Sequence, residues 1–388
     1  MNALLIILDG VGGLRSDKGT ALEEANKPNI DELANEGSLG LMHVIDRGIV
    51  PGSDTGHLAI FGYDPFKDYH GRGPFEALGA GLELKHGDIA FRANFATVKG
   101  GVVVDRRAGR IETSEAKKLE PLIDGIKIDG VKVIFKSTTE HRGVLVLRGE
   151  NLSPDVSDTD PHKTGVPPLK AKPLSNKAEF TANIINKLSK IIAKKLEGEK
   201  ANYLLLRGAG IMHSVKPFKE KYDLKAAAIA GGALYKGVAR YVGMEVLEVE
   251  GATGDKHSNF KAKFEKAKEV SKDYDFVFLH VKATDSFGHD GDLEGKKSII
   301  EKIDRLIPIV KDVFDLIIIT GDHSTPCIYK EHSGHPVPIL AYGKYVRKDK
   351  AKKFDEFEAM KGGLGHIKGK DLMPLILNWI KKQKKFGS

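Results

Sequence analysis

The sequence predicts an α/β protein with a mostly parallel central sheet, interrupted by an inserted α+β domain. Three observations carry this. Short apolar runs end in Gly, Asp, Thr or His, amphipathic helical patterns lie between them, and the character of the chain changes in its middle.

ALLIIL runs into Asp9, FVFLHV into Lys282, and LIIIT into Gly321 and Asp322. Apolar runs of this length without alternation read as strands covered on both faces, as in a parallel sheet. KPNIDELANEG reads as a helix, with Pro28 suited to its first turn and Gly37 as its stop. SIIEKIDRLIPIVKDVF reads as another, because Ile299, Ile300, Ile303, Leu306, Ile307 and Val310 recur at helical spacing. From GGVVVDRRAGRIE onward, strand-like runs alternate with turn residues, and a long amphipathic helix follows over residues 175–197. The insertion is therefore placed at residues 76–216, leaving 1–75 and 217–388 as the first domain. The expected crossings are Gly71 to Gly73 and Pro217 to Tyr222.

A chain of 388 residues suits two cores, and 41% hydrophobic with 29% charged residues is a globular composition. The single Cys327 excludes an intramolecular disulfide. No apolar run approaches the roughly 20 residues that cross a bilayer, and ALLIIL meets Asp9 at once, so it reads as a strand and not a signal peptide. The expectation is a cytoplasmic protein without a membrane partner. The net charge of +8 lies partly in Lys194, Lys195, Lys381, Lys382, Lys384 and Lys385, which read as solvated helix faces. Such a surplus favours small anionic substrates. Without aromatic interleaving or an arginine stripe, it speaks against nucleic acid. An oligomer is compatible with the sequence.

In open α/β sheets, ligands sit beyond the carboxyl ends of the strands. Asp9, the pair Asp285 and His289, and the pair Asp322 and His323 each follow an expected strand, and His332 comes soon after. Carboxylates and imidazoles are what divalent ions need in phosphoryl transfer, and a two-ion site takes about six or seven such ligands. Taken singly, each has a plainer reading. Asp9-Gly10 is a common turn, and Gly288 would turn the loop between Asp285 and His289. His280, inside an apolar strand, reads as a core residue. His335 is an alternative to His332, and Asp54 reads as the cap of a helix beginning near Thr55. His57 reads either as local packing or as a contact near a bound phosphoryl group.

These motifs resemble the alkaline phosphatase superfamily, and within it the archaeal type of cofactor-independent phosphoglycerate mutase. The resemblance rests on ILDGVG, NKPNIDELANEG, GSDTGHLAIFGYDP, TDSFGHDGD, TGDHSTP and HSGHPVP, with GRGPFEALGAGLELKHGDIAFRANFATV and DRRAGR pointing to the archaeal branch. It implies an alkaline-phosphatase-like three-layer domain. It also implies that Asp285, His289 and His332 bind one divalent ion, that Asp9, Ser53, Asp322 and His323 bind a second, and that Ser53 is the nucleophile. Manganese, magnesium, zinc and cobalt all suit such donors, and no 2,3-bisphosphoglycerate is required. Where the larger bacterial enzymes have Asn before the serine and Glu after it, this chain has Gly52 and Asp54.

The implied reaction interconverts 3-phosphoglycerate and 2-phosphoglycerate in glycolysis and gluconeogenesis. The same metal site would also serve a phosphatase or another phosphosugar mutase. A mutase must retain glycerate while Ser53 holds the phosphoryl group, so water has to be excluded, and a small second domain closing over the site would do this. Arginines hold a carboxylate by paired hydrogen bonds, and Arg92, Arg106, Arg107, Arg110, Arg142 and Arg207 are available. Arg207 stands out because it leaves an apolar strand. Lys236 resembles the family's lysine near the phosphoryl group. Asp158 or Asp160, rather than His162, is the expected acid or base in SDTDPHKTG.

Overall fold

The computed structural model of the protein describes residues 1–387. The chain forms two compact units, one of residues 1–68 and 216–388 and the other of residues 69–215. The crossings fall at Tyr69 and Val215 rather than at residues 76 and 216. The reason is local pairing: the His70 carbonyl accepts the Ile211 N–H, and at Gly73 a side chain would strike the Ala90 carbonyl, so this stretch is committed to the second unit's sheet.

The first unit is built on an eight-stranded sheet. Ala3–Leu8 lies at its centre, parallel to Phe276–Val281 on one side and to Leu316–Thr320 on the other. Ala226–Ile229 and Glu245–Val246 continue the parallel set beyond Phe276–Val281. On the far side Val337–Gly343 runs antiparallel to both its neighbours, Leu316–Thr320 and Ser38–His43. The three central strands are wholly buried, which explains why their sequences show no alternation.

Helices cover both faces. Pro28–Glu36, Phe260–Glu269 and Leu293–Asp304 pack Ile30, Leu33, Phe264, Ile299, Ile300 and Ile303 against Leu4, Ile6 and Leu8. Ser53–Ile60 and Ala233–Tyr241 meet the other face, where His57, Phe61 and Tyr235 contact Phe278 and His280. The helix expected through SIIEKIDRLIPIVKDVF is two, Leu293–Asp304 and Ile307–Val310, because Pro308 admits only a new first turn.

The second unit is an antiparallel sheet. Ile89–Lys99 is its longest strand and pairs with Val102–Asp105, Arg142–Arg148 and Tyr203–Ile211. Thr113–Ile123 and Glu179–Lys195 cover one face with Ala116, Leu119, Ile184, Ile185 and Leu188, and Gly73–Gly79 covers the other with Ala77. The expected long helix thus begins at Glu179, after a single 3₁₀ turn over Asn176–Ala178.

Candidate active site

The carboxyl ends of the three central strands place Asp9, Asp285, Asp322 and His323 together, although up to 314 positions separate them. His323 is the hub. Its Nε2 lies 3.2 Å from Asp9 Oδ1, 3.4 Å from Asp322 Oδ2, 4.0 Å from Asp285 Oδ1 and 3.2 Å from Ser53 Oγ. Asp9, Asp322 and His323 offer one group of three ligand atoms, and Asp285, His323 and His332 offer another.

Ser53 is the first residue of helix Ser53–Ile60, with Gly52 as its N-cap. The helix thus starts two residues earlier than Thr55, and Asp54 is not its cap; the Asp54 carboxylate accepts the Thr55 N–H. The Asp285 and His289 motif lies on helix Ala283–Asp290 and not on a loop, and four-residue spacing brings both side chains to one helix face, 3.4 Å apart. Gly288 does not turn a loop there. Its lack of a side chain lets the helix approach Thr325, whose carbonyl a Cβ would meet at 2.5 Å. Gly10 has φ of +61° and a Cβ on it would strike Thr325 Oγ1, so Asp9-Gly10 is both a turn and a close approach.

The histidines are oriented from behind. His289 Nδ1 donates to the Lys330 carbonyl and His332 Nδ1 to the Pro51 carbonyl. A carbonyl only accepts, so in the neutral ring Nε2 carries the lone pair. His332 Nε2 lies 3.6 Å from Asp285 Oδ1. His335 instead pairs with Ser333, which separates it from the cluster. His323 Nδ1 donates to Thr325 Oγ1, and that hydroxyl donates to Asp285 Oδ1.

The site's field is strongly negative. Burial pushes Asp9 up, but the Lys282 charge and hydrogen bonds with His280 and His323 outweigh it and hold the carboxyl well below the usual range. Burial, reinforced by Asp9, pushes Asp322 up. Burial opposes charge on His323 and on Lys282, yet the surrounding carboxylates raise both. Burial and Asp9 press Asp285 upward, while Lys282 and His323 draw it down further. This field attracts cations. Asp322 Oδ1 accepts the Gly10 N–H, whereas Oδ2 is buried without a hydrogen-bond partner, an orphan that a divalent ion would satisfy. Carboxylate oxygens and imidazole nitrogens in this arrangement fit such an ion.

Three supporting residues were not legible as such. His280 is a core residue as expected, but its Nε2 also lies 2.8 Å from Asp9 Oδ2 and its ring stacks on Tyr235. Burial lowers it to about 3, so it is a neutral donor to Asp9. Lys282 touches both Asp9 and Asp285. Lys296 is fully buried, and its ammonium donates to the carbonyls of Gly10 and Thr325 at 2.7 and 2.9 Å, tying the loop after Asp9 to the loop after His323. A lysine within an amphipathic helix gives no sequence signal of this kind.

Two further residues singled out in the sequence are engaged by partners within the protein. Lys236 is engaged by Glu248 at 2.5 Å. His57 is fully buried; its Nδ1 donates to the Ser53 carbonyl four residues earlier and lies 3.4 Å from Asp322 Oδ2, so it packs behind Asp322.

In the second unit Arg92 and Arg207 are direct cross-strand partners. Burial lowers both, Arg92 to about 10; Arg207 and Arg72 add to the lowering at Arg92, and Arg106 and Arg72 to that at Arg207. Arg107, Arg110 and Arg142 form a further basic group around His141, which burial and these charges lower to about 4. Asp160 is fully buried and clamped by Arg106 at 2.8 and 2.7 Å. Asp158 is more exposed and accepts the Gly208 N–H, next to Arg207.

Fold and site together define a metalloenzyme, and the Metalloenzyme superfamily model matches residues 1–379. The relatives narrow this. A 2,3-bisphosphoglycerate-independent phosphoglycerate mutase from Methanocaldococcus jannaschii is 49% identical, over 99% of this chain and 98% of its own. Its counterpart from Pyrococcus horikoshii is 48% identical, over 99% and 98%. Among solved structures, the cofactor-independent phosphoglycerate mutase of Thermoplasma acidophilum superposes with a TM-score of 0.74 at 35% identity, covering 97% of this chain and 99% of its own. The PH0037 protein of Pyrococcus horikoshii gives 0.86 at 39%, covering 100% and 99%. The chain belongs to the 2,3-bisphosphoglycerate-independent phosphoglycerate mutase family. Among the described residues, no helix is long and apolar enough to cross a membrane.

Proposed function

We propose that the protein interconverts 3-phosphoglycerate and 2-phosphoglycerate by passing the phosphoryl group through Ser53, with two divalent cations and without 2,3-bisphosphoglycerate. The observation that carries this reading is the placement of Ser53 Oγ 3.2 Å from His323 Nε2, among the buried ligands Asp9 and Asp322. Asp9, Ser53, Asp322 and His323 would hold one cation, and Asp285, His289 and His332 the other. When bound, the ions neutralise charge on the phosphoryl oxygens and favour the serine alkoxide.

Ser53 Oγ attacks phosphorus, the bond to the substrate oxygen breaks, and glycerate is left with a free hydroxyl that needs a proton. Asp158 is the acid or base we assign to that proton, because Asp160 is consumed by Arg106. Arg92 and Arg207 are assigned to the substrate carboxylate, and Arg107 and Arg110 to its remaining negative charge. Glycerate then accepts the phosphoryl group on its other hydroxyl, and Ser53 is regenerated.

The test is 2-phosphoglycerate formation from 3-phosphoglycerate, run beside a phosphate-release assay and repeated with a chelator. Isomer formation that stops on chelation and returns with manganese is expected. Phosphate release without isomer would make the protein a phosphatase.

A further inference from the structure

One ammonium joins the two candidate cation groups. Lys282 Nζ lies 3.3 Å from Asp9 Oδ1 and 2.5 Å from Asp285 Oδ2. The residue directly follows strand Phe276–Val281 and precedes helix Ala283–Asp290, so its backbone is set between the sheet and the helix that carries Asp285. The side chain is 22% exposed, which puts its charge at the wall of the site. Lys236, the lysine the family resemblance implies near the phosphoryl group, is meanwhile paired with Glu248.

We propose that Lys282 is a third, protein-borne cation of the site, which weakens the hold of both carboxylate groups on divalent ions while fixing how Asp285 presents itself. Asp285 Oδ2 is tied to the ammonium, and Oδ1 faces His289, His323 and His332 at 3.4, 4.0 and 3.6 Å. Asp285 would therefore offer a cation one oxygen, Oδ1. Asp9 Oδ1 is shared between the ammonium and the atoms around His323 Nε2. An ammonium and a divalent ion on the same carboxylate repel each other, and partial exposure reduces that repulsion without removing it. The consequence is an exchangeable metal site with one more positive charge facing an anionic substrate.

This inference rests on the two-cation reading above, and the experiment separates the two. Manganese is titrated calorimetrically into the full-length wild type, Lys282→Met and Lys282→Arg, with kcat measured in parallel. The Met variant is expected to bind manganese about tenfold more tightly, to turn over more slowly, and to be restored toward wild-type affinity by Arg. A lysine with only a structural role would loosen the site on removal, the opposite sign. Unchanged or weaker binding in the Met variant overturns the proposal, and Lys282→Gln carries the same expectation if Met fails to fold. Wild-type protein that binds no manganese overturns the cation reading and this proposal together.

Discussion

Arg92 and Arg207 face each other across neighbouring antiparallel strands, two positive charges in register on one sheet. Like charges so placed cost about 0.2–1 kcal/mol, and burial lowers both groups. An anion between them reverses that sign. Arg207→Met is expected to leave thermal stability unchanged or slightly higher while raising KM for 3-phosphoglycerate by about one to two orders of magnitude. Steady-state kinetics and a melting curve on the same preparation check both halves; a fall in stability with KM intact would make the pair structural.

Lys296 holds two backbone carbonyls that water does not reach. Lys296→Met fills the space but leaves the Thr325 carbonyl without its donor, while the Gly10 carbonyl keeps the Thr325 N–H, at a cost of about 1–3 kcal/mol. Urea unfolding should show that loss. Because the loops after Asp9 and His323 are what the ammonium ties, manganese affinity should weaken as well, opposite to the effect expected at Lys282.

Asp160 and Asp158 lie two residues apart and should behave oppositely. Asp160→Asn breaks a buried pair with Arg106 and should cost about 3 kcal/mol of stability. Asp158→Asn should leave stability nearly unchanged and lower kcat by about two orders of magnitude or more, as expected for loss of a proton-transfer group. A stable, fully active Asp158→Asn would remove that residue from the mechanism.

Buried Lys263 gives a pH signature away from the metal ligands. Its ammonium donates to the His280 carbonyl, and burial, reinforced by the Lys236 charge, lowers it from 10.5 to about 8. Between those values the unfolded chain binds the proton and the folded chain does not, so stability rises with pH there. Relative to Lys263→Met, the wild type should gain about 3 kcal/mol from pH 8 to 10.5 and show no such trend below pH 8. Chemical denaturation across that range reads it directly.

The central strands were legible because strands buried on both faces leave uninterrupted apolar runs, and the residues just beyond them marked the sheet edge where Asp9, Asp285 and Asp322 meet. The choice between His332 and His335 was not legible. It depends on which ring is anchored by the Pro51 carbonyl and which by Ser333, partners that spacing does not reveal. Lys282 and Lys296 were missed for a related reason: a lysine beside a strand end or on a helix reads as surface charge until the fold sets it against carboxylates, as with Lys282, or buries it, as with Lys296. Asp160 looked equivalent to Asp158 in SDTDPHKTG, and only the clamp from Arg106, 54 positions earlier, separates them.

The central claim is that Ser53 carries the phosphoryl group, and the most direct measurement is mass spectrometry of protein quenched during turnover with 3-phosphoglycerate and manganese. The account predicts a phosphoryl group on the peptide containing Ser53, absent from Ser53→Ala and from chelated protein. A phosphoryl group on a histidine, or isomerisation that persists in Ser53→Ala, would contradict it.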